Sequence, residues 1–379
     1  MKFLHMADFH IGITVNGFSM LKDQRYVLEQ IISCIKSEQP DVVLLAGDIY
    51  DRPNPGANAV NVYDHFLSEM TKLSIPLLVI NGNHDSPERL SFAGHILARQ
   101  QIYTYSIFDG TLHRYTFTDS YGEVHFYMMP FIRPVNVRQF FDEASAPNYQ
   151  EGIKTVIESA GIDNLQRNVL IAHQIFISEN VSIQRSASEI EPAGGLDGIA
   201  VKEISGFDYV ALGHLHGSQT VGCNHIRYSG SVLKYSPSEC HQQKSVTMVE
   251  LGSKGDVKIK LIPLTPIREM RTIKASLAEL LDPAYPQQNN RDDYLLITLT
   301  DDEGRKNALG EIRRIYPNVM TLDFADGDSQ FLSGARAVTE IENQTPLRLF
   351  ADFYKEQNQS ELSEDQLNII QTLFERTDP

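Results

Sequence analysis

Asp8 and His10, two residues apart in Ala7-Asp8-Phe9-His10, open a series of five short segments with the residue types of a divalent-metal site. The others are Gly47-Asp48, Gly82-Asn83-His84-Asp85, His173 and Gly213-His214-Leu215-His216. In extended chain, side chains two apart point the same way, so Asp8 falls with His10 and His214 with His216. Asp48 has two carboxylate oxygens and can bridge two cations, and Asn83 offers a neutral amide oxygen. With His173 the set mixes nitrogen and oxygen donors, which suits Mn, Fe or Zn rather than Ca. Gly47, Gly82 and Gly213 each precede a ligand candidate and let the backbone turn tightly beside it. DxH and GD recur by chance and a single histidine is usually structural. GNHD is fairly specific, and five such fragments in order at strand ends are hard to obtain by structural accident.

His84 follows the ligand candidate Asn83, so its side chain points elsewhere, toward whatever sits above the metals. A protonated imidazole there can deliver a proton to a leaving alkoxide as general acid. Asp51, three residues after Asp48, is placed to hold the His84 ring by its other nitrogen and set its tautomer. The competing reading makes Asp51 the cap of a helix after Pro53. Arg52 is a candidate phosphate contact, and equally an exposed turn arginine. His5, His65, His95, His113, His125, His225 and His241 have no motif around them and read as ordinary.

The elements that must carry these residues follow from periodicity. Lys2–Met6, Val42–Ala46 and Leu77–Ile80 read as strands ending at the first three segments, and 169–172 and Tyr209–Leu212 lead into the other two. Ligands of α/β sheets bind beyond the carboxyl ends of the strands, so the five segments can share one rim. Between the early strands lie two helical patterns, 19–39 and a second with Val60, Tyr63, Phe66, Leu67 and Met70 on one stripe. From about residue 102 strands dominate, at 113–117, 124–128, 226–229, Ser245–Leu251 and 257–262, with one helix at 149–160. The expected fold is α/β (α+β): two mixed sheets packed on each other and flanked by helices. The domain reading is 1–265 for this body, 266–335 for a smaller α+β unit (strands Tyr294–Leu299 and Val319–Phe324, helix 307–315), and 336–379 for a linker and C-terminal helices. In that tail Leu347, Phe350 and Tyr354 share one helical stripe and Ile369, Ile370, Leu373 and Phe374 another, with Ser363 and Gln366 at capping-box spacing.

The 379 residues are 42% hydrophobic and 22% charged, ordinary for a chain with a sizeable core. Thirty-three Lys and Arg against 49 Asp and Glu leave a formal charge of -16, which excludes a basic DNA-coating protein. Metal ions, a local groove or a basic partner would have to bring a polyanion in. Residues 340–379 hold nine acids and three bases, so the tail is no DNA-binding arm. Three cysteines without a CxxC pair suit a reducing compartment. No apolar run approaches the ~18 residues of a membrane span, so a soluble cytoplasmic protein is expected.

With these motifs in place, the first 265 residues resemble the calcineurin-like metallophosphoesterases. More narrowly, nearly the whole chain resembles the bacterial nuclease subunits that pair with an SbcC-type ATPase, a relative of Rad50. That likeness rests on stretches outside the metal motifs: Val210-Ala211-Leu212 before Gly213, Ile226-Arg227-Tyr228-Ser229-Gly230-Ser231, Ser236, Glu239 and Lys244-Ser245-Val246. The tail adds Pro346-Leu347, Phe350, Phe353-Tyr354-Lys355-Glu356-Gln357-Asn358 and Leu362-Ser363-Glu364. It is weakest over about 300–345, and Ala7 and Phe9 stand where the family more often has Ser and Trp.

The resemblance implies two manganese ions, with Mg, Fe or Zn as alternatives. Asp8, His10, Asp48 and His216 would hold one, and Asp48, Asn83, His173 and His214 the other, while His84 acts on the scissile phosphate. It implies DNA as substrate, cut as an exonuclease on duplex ends and an endonuclease on single strands and hairpins, in repair and recombination. The chain has no GxxxxGK[ST] loop, so no nucleotide is expected on it and ATP gating would fall to the partner. The 266–335 unit would cap the DNA, the tail helices would dock on the SbcC-type ATPase, and the assembly would be a homodimer within a heterotetramer, with no membrane. The nearest enzyme rival is a phosphoprotein phosphatase or small-molecule phosphodiesterase, since Gly-Asp-Ile-Tyr-Asp-Arg with GNHD resembles phosphatase GDxxDR and GNHE. A DNA-end scaffold with a lapsed site would have lost ligand residues, and here every position is filled.

Overall fold

The computed structural model describes residues 1–178, 183–189, 198–282, 285, 290–301, 308–325 and 366. The stripes read at 347–354 and 369–374 lie outside the described residues. Two compact units are present, residues 1–271 with 292–294, and residues 272–291 with 295–379.

The first unit opens with β1 (Lys2–Met6), α1 (Leu21–Glu38), β2 (Val42–Ala46), α2 (Ala57–Leu73), β3 (Leu77–Ile80) and β4 (Ile102–Tyr105). It continues with β5 (His113–Asp119), β6 (Gly122–Met129), α3 (Tyr149–Ser159), β7 (Arg167–Ala172) and β8 (Tyr209–Leu212). The last strands are β9 (Gln219–Val221), β10 (Cys223–Tyr228), β11 (Ser245–Leu251) and β12 (Val257–Pro263). They form two six-stranded mixed sheets, in the orders β12-β11-β1-β2-β3-β4 and β9-β10-β8-β7-β6-β5. β1 to β4 run parallel, as do β6, β7, β8 and β10, so the chain leaves β1, β2, β3, β7 and β8 at their carboxyl ends straight into the five segments.

The reason lies in the residues. Every side chain of β2 (VVLLA) is buried, the mark of a parallel strand covered on both faces. Phe3, Val42, Leu44, Leu78 and Ile80 of one sheet meet Val124, Phe126, Val169, Ile171 and Tyr209 of the other in the sandwich core. Alternate residues face the opposite way: Leu170, Ala172, Val210 and Leu212 pack with Ile153 and Val156 of α3. On edge strand β5, burial alternates residue by residue, as expected for a strand with one wet face. α1 stops at Gln39, which takes a left-handed φ of 48° and returns its N–H to Ile35, and Pro40 cannot continue the helix.

The α2 stripe differs from the expected one. Its buried residues are Ala59, Val62, Tyr63, Phe66 and Met70, and Val60 is exposed. Positions 59, 62–63, 66 and 70 follow the i, i+3, i+4, i+7 rule, and Val60 lies 100° round the helix from Ala59. Val60 carries the stronger hydrophobic signal in the sequence, whereas Ala59 is small and carries little of its own.

The second unit contains β13 (Met270–Ala275), which starts in the first unit, then α4 (Leu277–Leu281), β14 (Tyr294–Leu299), α5 (Ala308–Ile315) and β15 (Val319–Phe324). The strands form one sheet in the order β13-β14-β15, β14 and β15 parallel with α5 between them. Ile273, Leu280, Leu295, Ile297, Ile312, Val319 and Leu322 make its core. β13 and α4 carry no clear periodic signal in the sequence. Within MRTIKA the apolar residues are Met270, Ile273 and Ala275, and the three-residue step from Met270 to Ile273 breaks a strand's alternation, so the strand is defined by its neighbour in the sheet. α4 is five residues long, started by a capping box in which Ser276 and Glu279 satisfy each other's backbone N–H. Among the described residues no helix is long and apolar enough to cross a membrane.

His5, on β1, is fully buried between the sheets. It is neutral: Nε2–H donates to the Leu212 carbonyl (3.2 Å) and Nδ1 accepts from the Tyr209 hydroxyl (2.9 Å). Burial holds its pKa down at about 3 against 6.5 in the unfolded chain. Below pH 6.5 the unfolded chain therefore binds a proton that the folded chain refuses, and stability falls as pH falls. Between pH 6 and pH 4 this one residue is expected to remove about 2–3 kcal/mol. Urea midpoints at the two pH values check this, since His5→Gln should show a correspondingly smaller drop. An identical drop in both proteins would assign the acid sensitivity to other groups.

Candidate metal centre

The rim is built on strained backbone. Asp8 (φ 55°), His10 (φ 44°), Asp48 (φ 50°) and His214 (φ 98°) all have left-handed φ, which costs of order 1–3 kcal/mol for a non-glycine residue. The expected extended DxH and HxH geometry is therefore absent: each pair reaches the site by turning. Neighbouring bonds hold the turns. Asp8 N–H donates to Gly47 O (3.1 Å), His10 N–H to Asp48 O (3.0 Å) and Ile11 N–H to Ile49 O (2.9 Å), zipping the β1 and β2 exits together. From α1, the Gln24 amide donates to Phe9 O (3.0 Å) and His10 O (2.7 Å) and accepts from Gly12 N–H (3.0 Å). The Tyr235 hydroxyl adds a bond to Phe9 O (2.5 Å).

On this frame the seven expected ligand side chains meet. His10 Nε2 is 3.0 Å from His216 Nε2 and 3.5 Å from Asp48 Oδ2, and His173 Nε2 is 3.3 Å from the same Asp48 oxygen. Asn83 Oδ1 lies 3.1 Å from His173 Nε2 and 2.8 Å from His214 Nδ1. Asp8 receives the His214 backbone N–H at 2.9 Å and 3.1 Å through its two oxygens. Donor atoms of Asp8, His10 and His216, and of Asp8, Asp48 and His173, cluster within 4.8 Å of one another. The glycines are required by contact, and Gly47 also by its left-handed φ of 86°. A Cβ on Gly82 would lie 2.6 Å from Asp48 Cγ, one on Gly47 would strike the His173 ring, and one on Gly213 would strike the Ala46 carbonyl oxygen.

The electrostatics fit a divalent pair. Buried carboxylates and imidazoles have no solvent to charge against, so without cations they neutralise one another with protons. Burial lifts the Asp8 carboxyl to about 7 against the pull of His173 and His216. Burial opposes ionisation of Asp48 as well, yet the His173 cation beside it keeps its pKa well below the usual range. Burial would lower His173, but the Asp48 charge and hydrogen bond raise it to about 9. Burial, then repulsion from His173, presses His214 down to about 3. Buried nitrogen and oxygen donors held by protons are the donor set that a cation takes over, releasing those protons.

His84 sits at the edge of the cluster, its ring 4.7 Å from that of His10. Its backbone N–H donates to Asp48 Oδ1 (2.9 Å), which fixes the GNHD turn against Asp48. Its Nδ1–H donates to Asp51 through the backbone carbonyl (2.8 Å), whereas the sequence reading had the carboxylate holding the ring. The Asp51 carboxylate instead meets Arg52 Nε at 3.2 Å. The chain between Asp48 and Asp51 turns so that a carbonyl reaches the ring first, a geometry that spacing does not encode. Nor does Asp51 cap α2, whose N-cap is Gly56. Arg52 is mostly exposed.

Asp85, the last residue of GNHD, received no role from the sequence. It is buried and accepts from the backbone N–H groups of Ile49 (3.1 Å), Tyr50 (2.9 Å) and Gly82 (2.9 Å), binding the Asp48 turn to the Asn83 turn. Burial and the Asp48 charge raise its pKa to about 6, against those three donors. The available signal was a carboxylate sealed inside a motif among apolar strand ends, where it must find donors.

Two family models match the chain: calcineurin-like phosphoesterase over residues 1–218, and Type 5 capsule protein repressor C-terminal domain over residues 266–358. The chain belongs to the calcineurin-like phosphoesterases. It is 31% identical over 325 residues to the SbcD component of the SbcCD nuclease of Staphylococcus saprophyticus, covering 85% of this chain and 84% of that one. To the protein of the same name in Staphylococcus epidermidis it is 29% identical over 377 residues, 99% of this chain and 98% of that one. Within the class, its family is that of the SbcD nucleases. Among solved structures, a dimetal phosphatase from Danio rerio aligns over 70% of this chain and 98% of its own, with a TM-score of 0.44 and 12% identity.

Proposed function

We propose that this chain is a metal-dependent DNA phosphodiesterase, the nuclease subunit of an SbcC–SbcD type complex that processes DNA ends and cleaves hairpins in repair and recombination. The observation that carries the reading is the convergence of Asp8, His10, Asp48, Asn83, His173, His214 and His216 on one rim, with His84 beside it. Asp8, His10, Asp48 and His216 would hold one ion and Asp48, Asn83, His173 and His214 the other, manganese fitting the mixed donors. When bound, such a pair supplies Lewis-acid neutralisation of the phosphate and a water activated at neutral pH. It also offsets the repulsion between DNA and a chain of charge -16.

The chain's own residues do the rest. Asp85 and the Gln24 amide keep both ligand turns in place against their backbone strain. The Asp51 carbonyl holds His84 by Nδ1–H, so that Nε2–H of the imidazolium is left to protonate the departing sugar oxygen. Arg52, exposed beside that carbonyl, is offered to a neighbouring phosphate.

By kinship with the SbcD nucleases, the partner is an SbcC-type ATPase, bound through the C-terminal segment after about residue 336, with 266–335 as a DNA-facing cap. A homodimer within the assembly draws support from Phe92 and Ile96, 81% and 67% exposed, a few residues after His84. A pull-down of the SbcC-type ATPase by a chain ending at Gln344 is expected to fail, and full retention would sink the tail assignment.

The activity is tested by Mn2+-dependent digestion of single-stranded and hairpin DNA by the isolated chain, beside a small phosphate ester and a chelator control. DNA should be cut and the chelator should stop it. Turnover of the ester with DNA left intact would place the protein with the small-substrate phosphodiesterases or phosphatases instead.

A further inference from the structure

His10 and His216 face each other Nε2 to Nε2, but their far nitrogens are treated differently. His10 Nδ1 is buried and has no hydrogen-bond partner among the described residues. His216 is gripped at every polar atom except Nε2. Its N–H donates to Glu189 Oε1 (2.7 Å), and its carbonyl accepts from Ser231 N–H (3.1 Å) and Lys244 Nζ (2.8 Å). Its Nδ1 lies 2.8 Å from Ser188 Oγ and 3.3 Å from Glu239 Oε1, and the Ser188 hydroxyl itself donates to Glu239 Oε1 (2.7 Å). The other Glu239 oxygen accepts from Lys244 Nζ at 2.6 Å, and Lys244 is braced further on Ser231 Oγ (2.9 Å). Glu239 is fully buried and Lys244 nearly so. The phosphodiester chemistry proposed above assigns them no part.

A buried carboxylate–ammonium pair is a poor device for stability, because desolvation consumes most of its attraction. It is a good device for orientation. A carboxylate on the far nitrogen of a ligating histidine fixes which nitrogen carries the proton and turns the ring's lone pair toward the ion. We propose that Glu239, anchored by Lys244 and relayed through Ser188, is a positioning residue for His216, holding the tautomer with the proton on Nδ1 and Nε2 free to ligate. Among the ligand residues it contacts His216, so it tunes one of the two ions and leaves the other untouched. The inference rests on the dinuclear reading above.

The test is calorimetric titration of metal-stripped full-length protein with Mn2+, with visible absorption of the Co2+-loaded form as a second readout and near-UV circular dichroism to follow folding. Wild type should take up two ions. In Glu239→Gln one of them should weaken 10–100-fold, with a changed Co2+ spectrum for that ion and no change for the other. Unchanged affinities for both ions, or equal loss of both in a natively folded variant, overturns the proposal. If Glu239→Gln does not fold, Ser188→Ala removes only the relaying hydroxyl and should weaken the same ion in the same direction, and an unchanged titration there overturns the proposal equally. A wild type that binds no pair of ions would defeat the dinuclear reading itself, an outcome distinct from two ions bound with an indifferent Glu239.

Discussion

Replacing His84 by glutamine should lower DNA cleavage by about 10²–10⁴-fold, the range for a lost general acid, while bound Mn2+ stays at the wild-type level. The expectation rests on how the ring's two nitrogens are used. Nδ1 is engaged by the Asp51 carbonyl, and the backbone N–H on Asp48 is kept by any residue at this position. A ring nitrogen of His84 is close enough to His10 and Asp48 donor atoms for those three residues to hold an ion between them, which would make His84 a ligand. Metal analysis of the variant separates the two roles, since loss of an ion would show that His84 binds rather than donates. A second readout is chemical. A nitrophenyl phosphodiester leaves as a stabilised phenolate that needs no proton, so His84→Gln should lose far less activity on it than on DNA. An equal loss on both substrates would remove the general-acid role even if the ions were retained.

Gly82→Ala should cost the protein its metal centre. Gly82 does not have positive φ, so the effect is steric: the new methyl group would sit 2.6 Å from Asp48 Cγ and 2.5 Å from Asp48 N. Neither neighbour can give. The Asp48 backbone is held in a left-handed conformation, and the turn around Gly82 is clamped by Asp85. Overpacking of this kind costs about 1–3 kcal/mol, but the larger consequence is displacement of the carboxylate expected to serve both ions. Mn2+ affinity should fall by at least about 100-fold, with activity below detection and a modest drop in thermal midpoint. Gly94→Ala is the control, since a Cβ there meets nothing within 4 Å among the described residues. Wild-type ion stoichiometry in Gly82→Ala would mean that Asp48 is not the residue on which both halves of the site depend.

Much of this was legible in the residues alone. Strand-length apolar runs such as Val42–Ala46, alternating with helical patterns, read as strands covered on both faces, so their positions, their parallel pairing and the rim at their carboxyl ends were readable. The donor types at the ends of those strands then specified a metal site of mixed nitrogen and oxygen character. Local pattern also has a limit, seen in α2 and β13. Val60 has the apolar signal of a core residue and small Ala59 does not, yet only the position of the helix on its sheet chooses between adjacent stripes.

What the tertiary structure decided concerns contacts between segments far apart in the chain. Spacing could suggest that Asp51 meets His84, but whether by carboxylate or carbonyl depends on a turn whose shape is imposed by Asp85, 34 residues beyond Asp51. Likewise nothing near His216 announces Glu239, 23 residues away, or the Ser188 hydroxyl between them. Identity and order of the ligands are one-dimensional properties, set by which residue ends which strand. The left-handed turns at Asp8, His10 and Asp48, and the partners that orient each ring, arise only when segments far apart in the chain pack on each other, because strained backbone and buried charge persist only where packed neighbours leave them no alternative.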